Sequence, residues 1–101
     1  MNKKDTQNLY GHDLKLLVLR VMTAREDSGQ DTQISFVLSD IIKRAGLMGT
    51  ISKQQRKDLR QRIYVFLEDS VIKGTIKREL RERDHARANV FYLLTEKTRI
   101  K

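Results

Sequence analysis

The chain contains no cysteine and no proline. Without cysteine there is no disulfide framework and no thiolate metal site, a composition that suits a reducing cytosol. At an average usage of ~5%, about five prolines belong in a chain of this length, so rigid proline linkers and PxxP segments are excluded. Histidine is scarce: His12 and His85 stand far apart and suggest no metal constellation. Long hydrophobic runs are missing as well. Leu16-Leu17-Val18-Leu19 stops at Arg20, and nothing approaches the ~18 residues of a membrane span. Met1-Asn2-Lys3-Lys4-Asp5-Thr6-Gln7-Asn8 has no apolar stretch behind it of the signal-peptide kind. These absences lead us to expect a soluble, cytoplasmic protein.

The signatures of catalysis are equally sparse. There is no glycine-rich phosphate loop of the P-loop or dinucleotide type. Gly46, Gly49 and Gly74 fall where helices end, and the acids are scattered among bases without a paired-carboxylate pattern. We therefore expect no enzyme: no catalytic residue, no metal, no cofactor and no small-molecule substrate.

What the chain has in abundance is positive charge. Lys and Arg number 21 against 13 acids in 101 residues, for a formal charge of +8 and a pI near 10.1. So basic a balance favours polyanionic partners: DNA, RNA or an anionic membrane face. The length fits one domain. The pattern divides it into a polar arm over residues 1–8, a folded unit over 9–95 and a basic tail over 96–101.

Leu14, Leu17, Val18, Val21 and Met22 recur at helical spacing and predict a first helix from Leu9 or Asp13 to Glu26. Asp27-Ser28-Gly29-Gln30-Asp31 reads as the loop that ends it. Thr32-Gln33-Ile34-Ser35 suits a short extended piece. A second helix follows from about Phe36 to Ala45, with Phe36, Val37, Leu38, Ile41 and Ile42 on its core side. Lys43 and Arg44 complement the dipole of its last turn, and Gly46 is placed to stop it.

After the turn Gly46–Ile51, Ser52 is a good N-cap and Gln55 completes a capping-box spacing. The third helix should run to about Ser70. Leu59, Ile63, Phe66, Leu67 and Ser70 fall on one stripe, and Gln54, Lys57, Asp58 and Gln61 lie opposite, flanked by Lys53, Arg60 and Tyr64. Gly74 breaks the run. Thr75 to Glu82 and Asn89 to Thr95 then alternate as two strands joined by the tip Arg83-Asp84-His85-Ala86-Arg87-Ala88. The expected class is α+β, mainly α: three helices followed by a two-stranded hairpin.

That order resembles a winged helix-turn-helix domain. The nearest local likeness is to multiple-antibiotic-resistance-type and PadR-type bacterial regulators. It is carried by Phe66-Leu67, Val71-Ile72-Lys73-Gly74-Thr75-Ile76, the tip Arg83-Asp84-His85-Ala86-Arg87, and the closing Tyr92-Leu93-Leu94-Thr95. The resemblance implies a transcriptional regulator that binds double-stranded DNA, with the third helix in the major groove and the wing on the backbone or minor groove. Two departures stand out: the turn before the third helix is long, and so is the helix itself.

On this mapping Ser52 starts the interface. Gln54, Lys57 and Gln61 face base edges, because Gln can pair with adenine and Lys can reach guanine. Lys53, Arg56 and Arg60 suit phosphates. Arg81, Arg83, His85 and Arg87 form the wing's reach, answering the negative potential of a narrow minor groove. Each has a plainer explanation. The helix cations can be a solvated face with Asp58 as local partner, and alternating charge along the wing can be cross-strand pairing. Leu9, Leu16 and Leu19 lie toward a second apolar side of the first helix, which predicts a homodimer. The alternatives are an RNA- or ribosome-associated binding module, and a protein-interaction module on the same scaffold. With no further domain in view to hold a ligand, control by a small molecule is not expected.

Overall fold

The computed structural model describes residues 12–81 and 89–95. Three helices, α1 (His12–Asp27), α2 (Ile34–Arg44) and α3 (Lys53–Lys73), precede two strands, β1 (Ile76–Arg81) and β2 (Asn89–Leu94). The strands pair as an antiparallel hairpin. The chain is therefore α+β and mainly helical, with the layout of a winged helix-turn-helix. The expected polar arm, the wing tip and the basic tail lie outside the described residues.

In α1, Leu14, Val18, Val21 and Met22 stand at i, i+4, i+7 and i+8, and all four are buried. The second apolar side divides. Leu16 is 41% exposed, whereas Leu19 packs at the margin of the core. Leu9 lies outside the described residues.

α2 begins two residues before the predicted Phe36. Only Thr32 of the expected extended piece is drawn to the sheet. The Tyr92 N–H donates to the Thr32 carbonyl at 3.3 Å, and the Thr32 hydroxyl donates back to the Tyr92 carbonyl. Ile34 and Ser35 are helical instead. This earlier start does not bring Phe36 inward. Val37, Leu38, Ile41 and Ile42 fill the buried arc, and at 100° per residue Phe36 falls roughly 170° from its centre. Phe36 is 43% exposed, with the Arg25 guanidinium 5.1 Å from its ring centroid.

The long connection between α2 and α3 is pinned by Leu47, which is buried. The Leu47 N–H donates to the Ile42 carbonyl at 3.0 Å, and the Leu47 carbonyl accepts from the N–H groups of Thr50 and Ile51, each at 3.1 Å. An eight-residue link is thereby held by its own backbone.

α3 opens on the expected capping box. The Gln55 N–H donates to the Ser52 hydroxyl at 3.1 Å, and the Ser52 N–H donates to the Gln55 side-chain carbonyl at 2.9 Å. It closes on Gly74, whose φ of 80° is left-handed backbone that glycine adopts without a Cβ penalty. Leu59, Ile63, Leu67 and Ser70 are buried along its inner stripe, and the helix runs three residues past Ser70.

The hairpin register sets Ile76 against Leu94, Arg78 against Tyr92 and Leu80 against Val90 on one face. Lys77, Glu79 and Arg81 share the other face with Leu93, Phe91 and Asn89. Ile76, Tyr92 and Leu94 join the cluster made by the three helices, so the first face is the one that packs onto the helical body.

Candidate nucleic-acid interface

The first half of α3 carries five basic side chains, Lys53, Arg56, Lys57, Arg60 and Arg62, against a single acid, Asp58. Asp58 is drawn to Arg62, four residues on, at 3.2 Å, so it does not neutralise the other four. Lys53, Arg56, Lys57 and Arg60 form no ion pair with any described residue. They are exposed, as are Gln54 and Gln61. The helix dipole adds partial positive charge at the same end. Ser52 is occupied as the cap, so its part here is to fix where the helix begins.

The hairpin is fastened to the far half of the same helix. The Arg78 guanidinium meets the Glu68 carboxylate at 2.5 Å. Tyr92, opposite Arg78 in the register, is buried beside them. Burial first, then the negative charge of Glu68, hold the Tyr92 hydroxyl above its ordinary pKa of 10.0.

Arg81 does not extend the α3 surface as expected. It stands on the other face of the sheet, where its Nε donates to the Glu79 carboxylate at 2.8 Å. Its guanidinium sits 4.1 Å from the Phe91 ring centroid, beside the Gly29–Thr32 loop. The physical reason is the period of two along a strand: Arg78 points to α3, so Arg81, three residues on, points away. The bond and charge from Arg81 lower the Glu79 carboxyl below its ordinary value of 4.5. Arg83, His85 and Arg87 lie outside the described residues.

What does join the helix to the sheet is a cavity of about 520 Å³ between α3, the start of α2 and β2. Lys57, Arg60, Gln61 and Tyr64 form its α3 wall, Ser35 of α2 and the preceding cap residue Gln33 flank it, and Asn89 and Tyr92 close it from the sheet. Lys57, Arg60, Gln61 and Tyr64 are spaced i, i+3, i+4 and i+7, the spacing that already sets Tyr64 beside Lys57, Arg60 and Gln61 in the sequence. Nothing local marks Asn89, Ser35 or Gln33 as their neighbours, because the fold brings them there.

Among the described residues no group of three or more His, Asp or Glu side chains is placed to hold a metal ion. No described helix is long and apolar enough to cross a membrane. No protein family, curated protein or solved structure matches this chain.

Proposed function

We propose that this chain is a sequence-specific double-stranded DNA-binding protein acting as a transcriptional regulator. The observation that carries the reading is the exposed first half of α3: four basic side chains without acidic partners among the described residues, interleaved with Gln54 and Gln61, on a helix whose start is fixed by a capping box. Lys57 and Gln61 lie four residues apart on its outer side and are the candidates for base edges. Lys53, Arg56 and Arg60 neutralise phosphates. Over 21 residues the helix is about 32 Å long, so only its first turns enter a groove and the remainder supports the sheet.

The wing's reach to the backbone or minor groove falls to Arg83, His85 and Arg87. Asn89 and Val90, at the start of β2, border the same surface as Lys57 and Gln61, while Arg81 serves the hairpin itself. The proposal extends to a cytoplasmic homodimer, for which Leu16 is the exposed apolar candidate on α1. A two-fold pair would read half-sites about one duplex turn apart.

Selection of bound duplexes from a random pool tests the reading. A single enriched, palindromic motif is the expected result. Recovery of no motif, or preference for structured RNA at equal salt, would contradict it.

A further inference from the structure

The cavity beside α3 has features that a flat phosphate-tracking surface does not need. At about 520 Å³ it falls in the size range of small-molecule sites. Its polar groups converge from three elements rather than lying along one helix. Lys57 and Arg60 face it without an ion-pair partner among the described residues. Tyr64, 44% exposed, offers part of a ring face on the same wall. Gln33 and Gln61 supply amides that can both donate and accept.

We infer that this cavity binds one nucleotide unit, with its phosphate at Lys57 and Arg60 and its base against Tyr64 within reach of the amides. Arginine and lysine together recognise phosphate through charge-assisted hydrogen bonds. An aromatic face accepts any base by stacking, and amide side chains read a base edge. A nucleotide is the common ligand class that presents a dianionic group and a flat, edge-patterned ring together. The inference does not depend on duplex binding, but the two share residues. Because Lys57 and Gln61 serve both surfaces, an occupied cavity competes with a duplex groove. That would give the chain a small-molecule input that its sequence did not suggest.

The same chemistry comes from a free mononucleotide or from an unpaired nucleotide within a strand. Calorimetric titration at low salt with adenosine and guanosine monophosphates, adenosine, inorganic phosphate and a single-stranded tetranucleotide separates these sources. Saturable binding of a mononucleotide, at least tenfold tighter than adenosine or phosphate, is the expected result for a free ligand. Saturation by the tetranucleotide alone assigns the cavity to a strand. In either case Arg60→Gln and Tyr64→Ala should each weaken binding about ten- to a hundredfold. Both side chains are exposed, and an unchanged circular dichroism melt checks that each variant is folded. Arg44→Gln, an exposed cation on the last turn of α2 away from the cavity, should leave affinity unchanged. Three results would overturn the inference: no saturable binding by any nucleotide ligand, equal binding of inorganic phosphate and mononucleotide, or an equal loss in Arg44→Gln. Duplex binding measured separately on the same variants keeps the outcome distinct from that of the DNA proposal.

Discussion

The Arg78 guanidinium of β1 lies 2.5 Å from the Glu68 carboxylate of α3, and this contact helps set how the hairpin stands on the helix. Arg78 is 47% exposed and Glu68 23%, so the pair contributes only about 0–1 kcal/mol after solvent screening. Its effect is on orientation more than on stability. Burial first, and then the same carboxylate, raise the Tyr92 hydroxyl pKa, which gives the contact a spectroscopic reporter.

Glu68→Gln removes that negative charge and should therefore bring the Tyr92 titration partway down, with burial still holding it above its ordinary value. Ultraviolet titration of tyrosinate against pH reads this, with Tyr92→Phe identifying the late-titrating group. The linkage has a definite sign. A folded pKa above 10.0 means the stabilising contribution is present in full below pH 10.0 and is lost as pH rises through the folded value. Melts taken across that alkaline window should show a steeper loss in the wild type than in Tyr92→Phe.

Leu67 is fully buried on the inner stripe of α3. Leu67→Ala should cost about 2–5 kcal/mol through lost transfer energy and the cavity left behind. That is a large share of the ~5–15 kcal/mol typical of a domain. A denaturant midpoint near that of the wild type would show that α3 is not seated as described.

The two ends of α3 should respond separately. Ser52→Ala removes the cap acceptor for the Gln55 N–H and should cost about 1 kcal/mol. Gly74→Ala forces an L side chain into backbone with φ of 80° and should cost roughly 1–2 kcal/mol. In a domain of this size each kcal/mol lowers the melting temperature by about 4–8 °C. A Gly74→Ala melt equal to the wild type would mean that the turn into β1 is not left-handed there.

Much of this architecture was legible from sequence because it is local. Ser52 with Gln55, the Leu59–Ile63–Leu67 stripe, and the Gly74 stop are short-range signals, and they yielded the boundaries of α3 to within a few residues. Period-two alternation likewise gave the two faces of the hairpin. Phe36 reads as core because it is a large apolar residue beside Val37 and Leu38, but 100° per residue turns it away from the buried arc wherever α2 begins. Arg81 was placed on the interface from charge and proximity to the tip. Which sheet face meets α3 is decided by the tertiary contacts of Arg78, Tyr92 and Ile76, and no local pattern reveals it. The neighbourhood of Asn89, Ser35 and Lys57 was hidden for the same reason, since it joins three segments distant along the chain.

Within the proposed interface, Lys57→Ala and Gln61→Ala should alter which duplexes are selected, by about 1–3 kcal/mol at the positions they read. Arg56→Ala should weaken all duplexes about equally. Competition binding against a panel of single-base variants separates the two behaviours. Uniform loss in all three variants would remove Lys57 and Gln61 from any base-reading role.

The most direct test of the central claim is duplex DNA affinity measured as a function of salt for the wild type and for an Arg56→Gln/Lys53→Gln double variant. Each phosphate neutralised contributes about −0.9 to the slope of log K against log salt. The account predicts a wild-type slope of about −2.7 per chain from the three phosphate-facing cations of α3, Lys53, Arg56 and Arg60, and a double variant shallower by about 1.8. No measurable duplex binding at ~50 mM salt, a concentration at which phosphate contacts are still strong, or a slope that the double substitution leaves unchanged, would contradict it.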